Sequence, residues 1–141
     1  MEFSQNRYRD CLYFTTNVLS RRLTSIAEEA FTPLGLSPSY AYLLMTVNEQ
    51  PGIRPGQISR ELELSPSTVT RLLDKMEHRG YLERTSAGRA TEVHPTGKSL
   101  DLQPRLQQVQ DELRSTIARE LGERYTEVLT EMTYTAVDKL D

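Results

Sequence analysis

Residues 65–84, SPSTVTRLLDKMEHRGYLER, restrict the possible folds of this 141-residue chain more than any other stretch. Ser65 suits an N-cap, because its hydroxyl can accept a bond from an otherwise unpaired early N–H. Pro66 suits the first helical turn, where its missing N–H costs nothing. At about 100° per residue, Val69, Leu72, Leu73 and Met76 fall in one arc and should face a core. Ser67, Thr68, Arg71 and Lys75 fall outside it, and Thr68, Arg71 and Lys75 share a stripe at i, i+3 and i+7. Gly80 marks the helix end. YLERTSAGRATEVH then reads as two β-prone runs about a Ser-Ala-Gly turn, which predicts a short hairpin.

The flanks are helical by the same reasoning. Residues 5–31 carry Leu12, Leu19, Leu23, Ile26 and Ala30 at mostly three-to-four spacing with no internal Gly or Pro, so one long helix is expected. PLGLSPSY breaks it. Ser37 can cap the next helix with Pro38 at its first position, and Pro51-Gly52 stops it. A short helix over residues 55–61 presents Ile58 and Leu62, and the tight turn ELELS joins it to the Ser65 cap. Past the hairpin, Thr96 can cap a helix with Leu102, Leu106, Val109, Leu113, Ile117 and Leu121 on one face. Gly122 interrupts, and a last helix carries Tyr125, Val128, Met132, Ala136 and Leu140. The expected fold is mainly α with a small β-hairpin wing: a helix-turn-helix core with a wing, and outer helices that form a separate apolar surface.

Composition narrows the class. No run of about 18 apolar residues is present, so no transmembrane helix is expected. The polar start MEFSQNRYRD lacks the apolar stretch of a secretory signal. The single cysteine, Cys11, excludes an internal disulfide framework. A cytoplasmic protein is the expectation. Net charge is −3, but residues 54–98 hold eight Lys/Arg against six Asp/Glu (+2), and the remainder nine against fourteen (−5). A mildly basic middle on an acidic scaffold is compatible with a nucleic-acid surface.

The polar stripe suits that surface. Short hydroxyls near a helix N-terminus can approach base edges or phosphates without filling the major groove. Arg reaches a guanine edge in bidentate fashion, and Lys suits a phosphate. The N-terminal N–H groups add positive potential for phosphate. Any amphipathic surface helix turns polar residues outward. The short preceding helix, tight turn and trailing hairpin set this one apart, because they are the parts of a winged helix in sequence order.

The run GQISRELELSPSTVTRLLDKMEHRGYLER resembles the DNA-binding core of the MarR family of bacterial transcriptional regulators, and the likeness extends over nearly the whole chain. It implies a winged helix-turn-helix over residues 35–96, an N-terminal dimerisation helix over 1–34 and C-terminal dimerisation helices over 97–141. It also implies a homodimer on a pseudo-palindromic operator in double-stranded DNA. Carried over position by position, Ser65, Ser67, Thr68, Thr70 and Arg71 enter the major groove, and Lys75 meets the backbone. The wing departs from the family pattern. Where many relatives have an Asp-Arg-Arg triplet near the tip, this chain has Ala87, Gly88 and Arg89, so the Asp–Arg support is absent and only Arg89 is left to reach the minor groove.

Two further expectations come from the resemblance. Tyr13, Tyr40, Tyr42 and Met45 could line a pocket for a small aromatic or phenolic effector, although tyrosines at helical spacing are ordinary core-edge residues. Peroxide-sensing relatives use one cysteine near the start of the first helix. Here the sensor position falls nearer Tyr13 than Cys11, which favours an inert half-buried thiol over a redox switch, with the switch as the alternative. Catalysis has little footing, since His78 and His94 lack a nearby nucleophile motif. No cofactor or metal is expected, because one Cys and two His have no close ligand spacing. The leading reading is a homodimeric repressor released by a small ligand. A winged helix serving protein contacts alone competes with it.

Overall fold

A computed structural model describes residues 6–141. Among these residues the order is α1 (Leu12–Phe31), a 3-10 turn (Thr32–Leu34), α2 (Pro38–Glu49), α3 (Pro55–Leu62), α4 (Pro66–His78), β1 (Leu82–Ala87), β2 (Ala90–Pro95), α5 (Gly97–Leu121) and α6 (Glu123–Lys139). The architecture is mainly helical with one antiparallel hairpin, as the sequence leads one to expect. No helix among them is long and apolar enough to cross a membrane. The chain forms two compact units. One is Phe31–Glu112; the other joins the chain up to Ala30 with Leu113–Asp141.

The first of these units is the winged helix. Its core is built from one face of each element: Leu43, Leu44 and Val47 of α2, Ile58 of α3, and Val69, Leu73 and Met76 of α4 are all buried. Leu72, expected on the same arc, is only half-buried. The turn between α3 and α4 is tight because Glu63 adopts a left-handed conformation (φ 51°), which brings the Leu64 N–H back to the Ser59 carbonyl at 3.1 Å. β1 and β2 pair from Leu82↔Pro95 to Ala87↔Ala90. β2 also bridges to Ile53, where the Val93 N–H donates to the Ile53 carbonyl at 2.9 Å and the Gly52 N–H to the Val93 carbonyl at 2.8 Å.

Side-chain bonds lock the start of α5 into this unit. Ser99 is fully buried and donates to Asn48 Oδ1 at 2.8 Å, while Asn48 Nδ2 donates to the Ser99 carbonyl and to Gln103 Oε1. The buried Ser99 hydroxyl and carbonyl therefore both have partners, which is the condition for burying them at low cost. Tyr81 is buried under two cations: Lys98 Nζ lies 4.2 Å from its ring centroid and Arg79 Cζ 5.4 Å. Such contacts gain from the negative face of the ring.

Four local expectations need correction. The first helix begins at Leu12, well after residue 5, which itself lies outside the described residues. Asn6 accepts the Tyr8 N–H on its side chain at 2.9 Å, and the Arg9 N–H turns back to the Asn6 carbonyl, so the chain enters through turns. An Asn side chain that binds nearby backbone competes with helix in this way. Ser37 and Thr96 occupy the expected positions, but neither hydroxyl caps. Ser37 makes no side-chain cap bond, and Thr96 donates instead to the Gly80 carbonyl at 2.7 Å. The hairpin turn is centred on Gly88-Arg89, with φ +65° at Gly88, not on Ser-Ala-Gly. A two-residue loop with Gly first matches strand twist, which moves the turn to the first Gly available.

In the other unit, α6 buries none of its residues. Leu12, Tyr13, Met132 and Leu140 are 72, 80, 66 and 85% exposed.

Candidate nucleic-acid interface

The site is built on the first two turns of α4. Ser65 has extended backbone (φ −65°, ψ 151°), and its Oγ accepts the Thr68 N–H at 3.2 Å, so this cap forms as the sequence predicts. The same hydroxyl donates to Thr68 Oγ1 at 2.9 Å. Ser65 has one proton, so the 3.2 Å contact between Ser65 and Ser67 must run from Ser67 to Ser65. Thr68 Oγ1 also accepts from Arg71 at 3.3 Å. Hydroxyl protons are thus ordered along the helix start, and one guanidinium nitrogen of Arg71 is tethered to that row. Thr70 turns its proton inward to the Pro66 carbonyl at 3.0 Å and can only accept from outside.

Ser65, Ser67, Thr70, Arg71 and Lys75 are exposed, and Thr68 is half-buried. Lys75 sits one turn beyond Arg71. Arg89 is exposed at the wing tip beside Gly88. His78, in the last turn of α4, is exposed as well.

One arrangement escaped sequence reasoning. Arg84 of β1 donates Nε–H to Glu77 at 2.8 Å and a terminal N–H to Asp74 at 2.6 Å. Side chains of Arg84, Asp74 and Glu77 are 28, 58 and 41% exposed. The hydrogen bond to Glu77 does most to raise the pKa of the guanidinium above its ordinary value; burial opposes it, and the bond to Asp74 adds to the rise. The available signal was the i, i+3 spacing of the two carboxylates on α4 and a lone cation three positions into the following strand.

The suggested effector residues are more dispersed. Tyr40 and Tyr42 are half-buried on α2, about 200° apart around the helix. Met45 is buried one turn beyond Tyr42, whose ring meets Phe31 edge-on at 6.2 Å. Tyr13 belongs to the other unit. A surface hollow at the wing base is lined by Glu77, Gly80, Leu82, Arg84 and Thr96, and by none of these tyrosines. Cys11 is exposed, not half-buried, and its carbonyl accepts the Thr15 N–H at the entry to α1. Arg7 precedes the helix, so it shares no helical face with the thiol. Among the described residues no group of three His, Cys, Asp or Glu could hold a metal ion.

The sequence model described as "MarR family" matches residues 34–90, the span from the end of the 3-10 turn to the wing. Over that span the winged helix is similar to the MarR family. MarR-family members are DNA-binding transcriptional regulators, not enzymes. Solved structures similar to this chain include the transcriptional repressor CouR bound to a 23-mer DNA duplex. That match has a TM-score of 0.84 at 19% identity and covers 97% of this chain and 99% of CouR. CouR bound to p-coumaroyl-CoA matches with the same score and identity over 96% and 98%. The S. aureus MepR–DNA complex matches with a TM-score of 0.79 at 17% identity over 98% and 99%. At such identities the likeness is one of fold. No curated protein matches the chain.

Proposed function

We infer that this chain is a MarR-family regulator that acts in the cytoplasm as a homodimer on a pseudo-palindromic operator, as a repressor that a small effector releases. The observation that carries DNA reading is the row of ordered hydroxyls ending on tethered Arg71, exposed on the helix that precedes the wing. Ser65, Ser67, Thr68, Thr70 and Arg71 enter the major groove, Lys75 meets phosphate, and Arg89 follows the adjacent minor groove. Neighbouring folds solved on DNA support this reading.

The dimer reading is supported by α6 and the start of α1, whose apolar side chains lie open in one chain. Patches of this kind mark interfaces. A second copy sets two recognition helices about one DNA turn apart, which is what docking in successive major grooves needs. The effector reading rests on a neighbour solved with p-coumaroyl-CoA. Such a ligand lowers operator affinity only by preferring a state with wrong spacing.

Salt titration tests the central claim. A protein neutralising about six to ten phosphates loses roughly 10³–10⁵ in affinity between 50 and 200 mM salt. The full-length chain should show that steep slope on a duplex it selects from a random library. A flat slope, or no duplex binding at any salt, hands the fold to protein contacts alone.

A further inference from the structure

The wing of this chain is fixed at its base and not at its tip. A two-stranded hairpin has little stability or preferred orientation of its own. Leu82 and Val93 are buried, but Thr85 to Arg89 are exposed. Arg84 is therefore the last residue of β1 whose side chain is bonded to α4 before the tip. From there three residues lead to Ala87, about 10 Å at strand rise. A tilt of about 10° at the base would carry the tip roughly 2 Å, enough to break a hydrogen bond there.

Asp74 and Glu77 lie three residues apart, so both carboxylates occupy one face of α4. Asp74 also follows Arg71 by three residues and adjoins Lys75. Two negative charges beside a phosphate-facing stripe weaken DNA binding unless something offsets them. The planar guanidinium of Arg84 bonds both through different nitrogens, which fixes its plane as well as its position.

We propose that Arg84 is a positioning residue: clamped between Asp74 and Glu77, it sets the angle of the wing on the recognition helix so that Arg89 reaches the duplex that Arg71 reads. This rests on the DNA-binding reading above. Arg84 itself does not touch DNA, because the carboxylates hold it.

The test uses full-length protein and the duplex the parent selects from a random library. Arg84→Gln should bind about tenfold more weakly at an unchanged salt slope. The double variant Asp74→Asn/Glu77→Gln should weaken binding comparably, although it removes two negative charges from the DNA side. Arg89→Ala should weaken the parent but add no further loss in the Arg84→Gln background. If Arg84 contacts phosphate directly, the double variant binds more tightly than the parent, Arg84→Gln flattens the salt slope by about one unit, and Arg89→Ala remains additive; any of these overturns the proposal. Hydrogen exchange without DNA gives an independent arm. Amides of β1 and β2 should exchange faster in Arg84→Gln while those of α2 keep their protection, and unchanged wing exchange refutes the clamp. Should the parent bind no duplex at all, the regulator reading fails, and exchange still decides whether the clamp exists.

Discussion

Thr68 receives donors from both Ser65 and Arg71 on one oxygen, so its own proton is left for an outside acceptor. A planar fork held in this way is prepared for a base edge, whereas Lys75, a flexible point charge, is suited to phosphate. Arg71→Ala should cost about 1–3 kcal/mol on the selected duplex and much less on scrambled DNA. Lys75→Ala should weaken both DNAs evenly and reduce the salt slope by about one unit. Anisotropy titrations on the two duplexes separate these roles; an equal loss on both for Arg71→Ala would assign it to phosphate.

Between elements, the Asn48–Ser99–Gln103 network pins α5 to α2. Asn48→Ala leaves the buried Ser99 hydroxyl unpaired and should destabilise by about 1–3 kcal/mol. Ser99→Ala leaves only the half-buried Asn48 side chain wanting a partner, which water can supply, and should cost about 0.5–1.5 kcal/mol. Urea midpoints measure both, and the reverse ranking would mean the network does not hold α5. These ties also show what a sequence can reveal. The inner arc of α4 and the Ser65 cap were legible because each depends on neighbours within one turn. Thr96 was misjudged because its hydroxyl partner, Gly80, lies 16 residues away. The entry to α1 starts later than the pattern suggests because the Tyr8 N–H donates to the Asn6 side chain, which competes with a helical turn. On the candidate interface, the outward stripe followed from 100° arithmetic. The hydroxyl row and the Arg84 ion pairs depend on rotamers and on a strand folding back over a helix, which periodicity does not encode.

For the molecule as a whole, the decisive element is α6. A 17-residue helix that buries none of its own residues has little reason to remain helical in isolation, since packing of an apolar face supplies most helix stability. The chain should sediment as a dimer at micromolar concentration. Met132→Asp should shift it toward monomer and weaken operator binding in proportion. A well-folded monomeric parent would remove the basis for spacing control. Gly122 joins α5 to α6 as a single residue, at φ +93°. It makes length, more than composition, the quantity that this part of the chain must conserve. One inserted residue would turn the apolar stripe of α6 by about 100° relative to α5. Related chains can therefore drift widely in which apolar residues they place along α6, while gaps and insertions at this joint should be rare.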